Sequence, residues 1–118
     1  MNSKTFLTIA VVLAVIYALG FLIIPEVVLD IYGVAVNPSA ILMARFFGTA
    51  LLGLGIIYWL VRSTTDRTVL RGFAIYNAVG VGVSTWGTLA GIMSQVGWSA
   101  TVIYSLLFIG CLIANPEK

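Results

Sequence analysis

Four apolar stretches, parted by short polar breaks, occupy almost all of this 118-residue chain. They run over about 5–24, 39–61, 67–93 and 98–114. A helix needs about 20 apolar residues to cross roughly 30 Å of hydrocarbon, and each stretch comes near that length. Little chain is left for a soluble domain. The spacing therefore predicts one domain over residues 1–118: an all-α integral membrane protein folded as an antiparallel four-helix transmembrane bundle. Charge agrees with this. Only 8% of the residues are charged and 61% are hydrophobic, whereas a soluble domain carries about 25% charged residues.

The first stretch follows Lys4, as a secretion signal would. Its apolar run is longer than the usual signal core of about 7–15 residues, and Ile24-Pro25-Glu26 is not a small-residue cleavage site. The expectation is a retained helix. Lysine and arginine in short loops set orientation. With four crossings, Lys4, Arg62, Arg67, Arg71 and Lys118 fall on one side, while the opposite loops over 25–38 and 94–97 contain neither residue type. The pattern predicts a multi-pass protein of a bacterial inner (plasma) membrane with both termini cytoplasmic. The net charge of +2 then reflects topology. The basic residues are few and form no stripe with aromatics, so no nucleic-acid partner is expected.

The connections carry their own signals. Pro25 opens and Gly33 closes a segment that fits a short helix at the outer interface, with Glu26 and Asp30 on one face. Asn37 before Pro38 fits an N-cap and first helical position. Asp66 or Thr65 can cap the third long helix. Tyr58, Trp59 and Trp98 fall where aromatic interface anchors belong.

Arg45 is the charge inside a span. It lies about 10 Å along its helix from Pro38, at 1.5 Å per residue, and an intramembrane arginine is usually paired or faces a polar cavity. Its side chain points back toward the N-terminal end of the helix, where Glu26 and Asp30 are the available acids. Three readings stand: a clamp on the interfacial helix, a site for an anion, lipid headgroup or quinone-like carbonyl, and plain snorkelling. Asn77 falls near the midplane, where an unpaired amide is unfavourable, so it is expected to bond a neighbouring helix or a ligand. Asn77, Gly80, Ser84, Gly87, Thr88 and Gly91 recur at helical spacing. Arg45, Gly48, Leu52, Gly55 and Trp59 form a matching series on the second helix, with Gly53 close by. Small residues let membrane helices approach closely, so these two helices are expected to pack on each other, or to pair with another copy of the chain.

The missing residues exclude much. With no histidine, His-ligated haem, zinc and copper sites are out. Met43, Met93 and Cys111 lack ligand spacing and are read as packing residues, so no metal site is expected. No serine has a recognisable base, and no glycine-rich loop joins a strand to a helix. No catalytic residue is assigned, and every acid maps to an interface or terminus.

The chain shares its length and span count with small multidrug-resistance transporters, but its first span lacks their embedded glutamate. A closer likeness lies in Ala44-Arg45-Phe46-Phe47-Gly48 through Gly53 and Gly55, preceded by Pro25, Tyr32-Gly33 and Pro38. Over roughly 20–60 the chain resembles the small bacterial four-helix membrane proteins called DoxX-like. That resemblance implies a four-helix fold and, for some members, association with membrane redox complexes. It carries over no catalytic motif. The expected function is that of a non-enzymatic accessory or scaffold protein, acting as a homo-oligomer or within a larger complex. The alternative is a binder of a small molecule, lipid or quinone near Arg45. No resident cofactor is expected.

Overall fold

The computed structural model describes residues 2–64 and 66–116. Among them the chain forms helices α1 (Ser3–Ile23), α2 (Pro25–Ile31), α3 (Pro38–Val61), α4 (Arg67–Leu89) and α5 (Gly97–Ile113). The helix starts follow local chemistry. The Asn2, Asn37 and Asp66 side chains accept hydrogen bonds from the backbone N–H groups of Lys4, Ala40 and Val69, at 2.7, 2.9 and 3.0 Å. Each satisfies a donor that a helix start leaves without an intrahelical partner. Thr65, the other capping candidate, and Lys118 lie outside the described residues.

Two helix ends share one device. Past α2, Gly33 has φ +73, its N–H donates to Asp30 O and the Val34 N–H to Leu29 O. Past α4, Gly91 has φ +78, its N–H donates to Thr88 O and the Ile92 N–H to Gly87 O. This is the Schellman closure, which needs a left-handed residue that glycine supplies at least strain. It corrects the expected third span: α4 stops at Leu89 rather than near Met93.

The helices pack as two pairs, α1 on α3 and α4 on α5, with α2 lying against α1 and α3. The expected close packing of the second span on the third, α3 on α4 through their glycines, is not found; these helices meet through larger side chains, Tyr58 on Phe73. The glycines of α3 meet α1 instead. A Cβ on Gly48 would lie 3.0 Å from Phe21 Cβ, and one on Gly55 would lie 3.4 Å from Ala14 Cβ. Small residues at four-residue spacing on α1, namely Ala10, Ala14 and Ala18, are all buried and let the backbones close up. On the other pair, Gly80 of α4 accepts the Tyr104 ring of α5.

The pairs join at both ends. At the end carrying the termini, Ser3 N–H donates to Asn115 O at 2.9 Å and Arg67 Nη1 to Leu112 O at 3.2 Å. Phe6, Leu7, Ala10, Tyr58, Leu70, Ala74, Cys111 and Ala114 form the buried core there, and the Phe6 ring lodges on Gly110. At the α2 end, Ser94 N–H donates to Tyr32 O at 2.7 Å and Ser94 Oγ to Ile31 O at 3.2 Å. The body measures 48 × 27 × 16 Å.

By length and composition, α1 and α3 can each cross a membrane. The apolar α5 has 17 residues. α4 is less apolar, because Asn77, Ser84, Thr85 and Thr88 share it with several glycines. Two of the four expected spans thus meet that criterion.

Candidate functional site

Between the two helix pairs lies a half-open cavity of about 290 Å³. The core at the terminal end closes its floor. Leu29 of α2, the following Tyr32 and Val34, and Met93 of the α4–α5 connection roof it. Apolar side chains such as Leu13, Leu51, Leu54, Ile103 and Leu107 supply the walls. Small residues line it as well: Ala10 and Ala14 on α1, Gly80 on α4 and Ala100 on α5.

The cavity gathers Tyr17, Tyr32, Tyr58, Tyr76 and Tyr104, which are all five tyrosines of the chain. Each long element contributes one, and the loop after α2 contributes Tyr32. The rings are ordered by contact with one another and with phenylalanine. Tyr58 meets Phe73 edge-on at 4.4 Å, and Tyr76 meets Tyr104 edge-on at 6.2 Å, both within the range of favourable aromatic geometry. Tyr17 and Tyr32 stand side by side across the roof.

Asn77, on α4, is 0% exposed. Its Nδ2 donates to Phe73 O at 2.9 Å and stands 3.9 Å from Cys111 Sγ on α5. The bond to a carbonyl fixes which end of the amide is which, since only the NH₂ can donate. The other end, Oδ1, is buried and receives no hydrogen bond. Tyr58, across from it on α3, stands beside the amide. An orphaned buried acceptor costs about 1–3 kcal/mol. Further up the wall, Ser84 Oγ lies 2.7 Å from Gly80 O and 2.9 Å from Thr101 Oγ1 of α5. Chemically the site can enclose an apolar body, stack on it and exchange hydrogen bonds with it. Among the described residues no cluster of three or more metal-ligating side chains forms.

The other predicted site residues lie elsewhere. Arg45 is exposed on α3, and Glu26 and Asp30 are exposed on α2. Among the described residues no ion pair ties the arginine to either acid, so the expected clamp is not formed. The buried stripe of α3 runs Ala44, Gly48, Leu51, Gly55, Tyr58, one residue away from the predicted Arg45, Leu52 and Trp59. This turns Tyr58, an expected interface anchor, into a core residue 2% exposed. Trp59 stays outside, with the Arg62 guanidinium 3.6 Å from its ring centre. Gly53 has open space around it, Gly87 packs on Met93, and Gly91 terminates α4 rather than packing it.

Asn77, expected to bond a neighbouring helix or a ligand, Gly80 and Ser84, expected to pack helices, and Tyr58, expected at the interface, all line the cavity; the gathering of the tyrosines was not expected. The available signal was their depth: Tyr17, Tyr76 and Tyr104 fall well inside apolar stretches, whereas tyrosine in a membrane helix belongs at the interface unless its hydroxyl has an interior role. Comparison with protein-family models, with curated proteins and with solved structures gave no match in any of the three.

Proposed function

We propose that the chain is a four-span membrane protein that binds a small, ring-bearing apolar molecule in the cavity between its helix pairs. The observation that carries this reading is the convergence of all five tyrosines on one apolar space. A few placed polar groups in an otherwise apolar cavity is the common form of a small-molecule site. The size fits: a cavity of about 150 Å³ accepts benzene, and this one has about twice that volume.

The membrane part of the reading rests on exposure. Only 28% and 22% of the most apolar windows of α1 and α3 are buried, which supports contact with lipid over burial in a water-soluble core. Ile16, Leu60, Val83, Trp86 and Leu89 are each more than half exposed, which suits contact with lipid chains. Lys4, Arg62, Arg67 and Arg71 gather at the terminal end, favouring a cytoplasmic placement of that end in a bacterial inner membrane. The short α2, with Glu26 and Asp30 exposed, then lies at the outer interface. The DoxX-like resemblance is consistent with a four-helix fold and adds no site residue.

A second reading keeps the accessory role, through contacts with another copy or a larger complex. It is favoured by Gly53, Gly72 and Gly82, whose Cβ positions face open space and leave room for a foreign helix. Native mass spectrometry from mild detergent separates the two. The binding reading expects one small apolar molecule per wild-type chain, absent from Ala100→Trp, which fills the cavity, and retained by Arg45→Leu. A bare wild-type chain, or an adduct that survives Ala100→Trp, overturns it. Additional protein subunits on the bare chain support the accessory role.

A further inference from the structure

The cavity is half open, and its closed sides show where the opening lies. The core fills the terminal end, and Ser94, bonded to Ile31 and Tyr32, ties the α2 end. Within each pair the helices touch: Gly48 lies against Phe21, and Gly80 against the Tyr104 ring. Two seams between the pairs remain. Along α1 and α5, Leu13, Tyr17, Ile103 and Leu107 line the cavity and are half-buried, and Phe6 on Gly110 clamps the seam below them. Along the other seam, no Cα of α3 comes within 8 Å of a Cα of α4. Packed helices have axes about 8–10 Å apart and Cα atoms about 2.3 Å off the axis, so their nearest Cα atoms lie well inside that distance. The α3–α4 seam is therefore wider than a packed one. The exposed residues among those lining the cavity are Phe47, Tyr76 and Val83, all on these two helices. They mark the mouth. Phe47 and Tyr76 each lie nine residues from the start of their helix, about 14 Å along it. In the four-span reading that depth is inside the roughly 30 Å of hydrocarbon.

We infer that the cavity is loaded sideways from the bilayer, through the gap between α3 and α4, by a molecule with a ring and a hydrocarbon tail; the ring lies inside and the tail stays out among the lipid chains. This rests on the binding reading above and sharpens it. Phe21 with Phe47, and Tyr76 with Tyr104, line the interior as edge-on pairs, which suits a ring. A tail methylene that remains in lipid gains no apolar burial on binding, so affinity referred to the bilayer is independent of tail length. A cavity sealed from lipid follows the opposite rule. With about twice the volume of a benzene site, it has no room for a ring and a long chain together.

The experiment displaces radiolabelled pentylbenzene from the protein in lipid nanodiscs, with empty nanodiscs as the blank and concentrations taken per lipid. Label held in the cavity is the part lost from Ala100→Trp. On wild type, pentylbenzene and dodecylbenzene should displace it with affinities within about threefold of each other. Val83 is 64% exposed at the mouth, and Val83→Trp narrows the exit. It should weaken dodecylbenzene by about tenfold or more and leave pentylbenzene within about threefold, because only the long chain needs the exit. Leu106→Trp, at a position 63% exposed on α5 and away from the cavity, should change neither. Dodecylbenzene binding wild type tenfold more weakly than pentylbenzene overturns the inference and leaves the cavity reading standing. Equal affinities that Val83→Trp leaves untouched, or lowers alike for both probes, also overturn it, because the tail then does not leave between α3 and α4. No label held in the cavity overturns both the inference and the reading beneath it. The wild-type comparison decides whether a tail leaves the cavity even if Val83→Trp folds poorly.

Discussion

The two ends of the bundle join the same helix pairs in opposite ways. At the terminal end, side chains fill the space between them: Leu7 and Leu70 are fully buried, the Phe6 ring sits on Gly110, and Tyr58 closes the core from above. At the α2 end the pairs stand apart around the cavity, and Ser94 ties the α4–α5 connection to Ile31 and Tyr32. Adhesion and space are thus separated along the bundle axis. The terminal end can hold the pairs in register while the α2 end keeps a volume that no side chain of the chain fills. A bundle packed uniformly along its length would have no room for a guest, and one hollow throughout would have little to hold it together.

The largest effect that follows is a difference between two leucines. Leu7 is 0% exposed in the filled end. Leu51 is also buried but lines the cavity, so one side of it already lacks partner atoms. Leu7→Ala should destabilise by about 2–5 kcal/mol, the range for a leucine truncated in a well-packed core. Leu51→Ala should lose about 1 kcal/mol, because it enlarges an existing space rather than opening a new one. Unfolding in mixed micelles under increasing denaturing detergent measures both. Equal losses would mean that the cavity end is packed as tightly as the other, and the division between the two ends would fail.

What the sequence discloses of this division is uneven, for physical reasons. Helix positions are readable because caps and stops are local: Asn37 with Pro38, Asp66, and Pro25 through Gly33 all act within one turn. Pairing is not local. The glycines on α3 could close against α1 or α4, and the alanines on α1 at positions 10, 14 and 18, which decide it, are weak markers because alanine is at home anywhere in an apolar helix. The predicted and observed stripes share Gly48 and Gly55 and differ by one residue elsewhere, Ala44 for Arg45, Leu51 for Leu52 and Tyr58 for Trp59, which turns the buried face by about half of the roughly 100° step between neighbouring residues. That rotation puts Arg45 outside and Tyr58 inside. Gly91 shows another ambiguity. Glycines at 87 and 91 fit a packing motif, yet the second is a helix stop, and the spacing of the two is the same in both cases. For the site, the depth of Asn77 is legible. Its unpaired oxygen is not, because that depends on what Phe73, Tyr58 and Cys111 present to it.

The two left-handed glycines sharpen the comparison at an intermediate scale. Gly91 has φ +78 and open space around it, so Gly91→Ala bears only the conformational penalty, about 1–2 kcal/mol. Gly33 has φ +73, and a Cβ there would lie 3.0 Å from Ser94 Cβ and 3.2 Å from Ser94 N. Gly33→Ala therefore bears the same penalty and also presses on the contact that joins the pairs over the cavity. It should be the more destabilising of the two in the same unfolding assay. A larger loss from Gly91→Ala would show that the Ser94 contact does not hold the α2 end.

The smallest effect tests whether polar links hold the hollow end's own helix pair. Ser84 Oγ is 2.7 Å from Gly80 O on its own helix and 2.9 Å from Thr101 Oγ1 on α5. A hydroxyl has one proton, so with that proton given to Gly80 O, Ser84 accepts from Thr101. Ser84→Ala removes the acceptor, but the Thr101 hydroxyl can turn to Thr85 Oγ1, 3.5 Å away. Interhelical hydrogen bonds inside membrane bundles average about 0.6 kcal/mol, and a replacement partner reduces the loss further, so Ser84→Ala should change stability by about 0.5 kcal/mol or less. The seating of Tyr104 on Gly80 then carries the α4–α5 pair, through close backbone approach. If Ser84→Ala instead lost as much as Leu7→Ala, hydroxyl contacts would be what joins α4 to α5 beside the cavity.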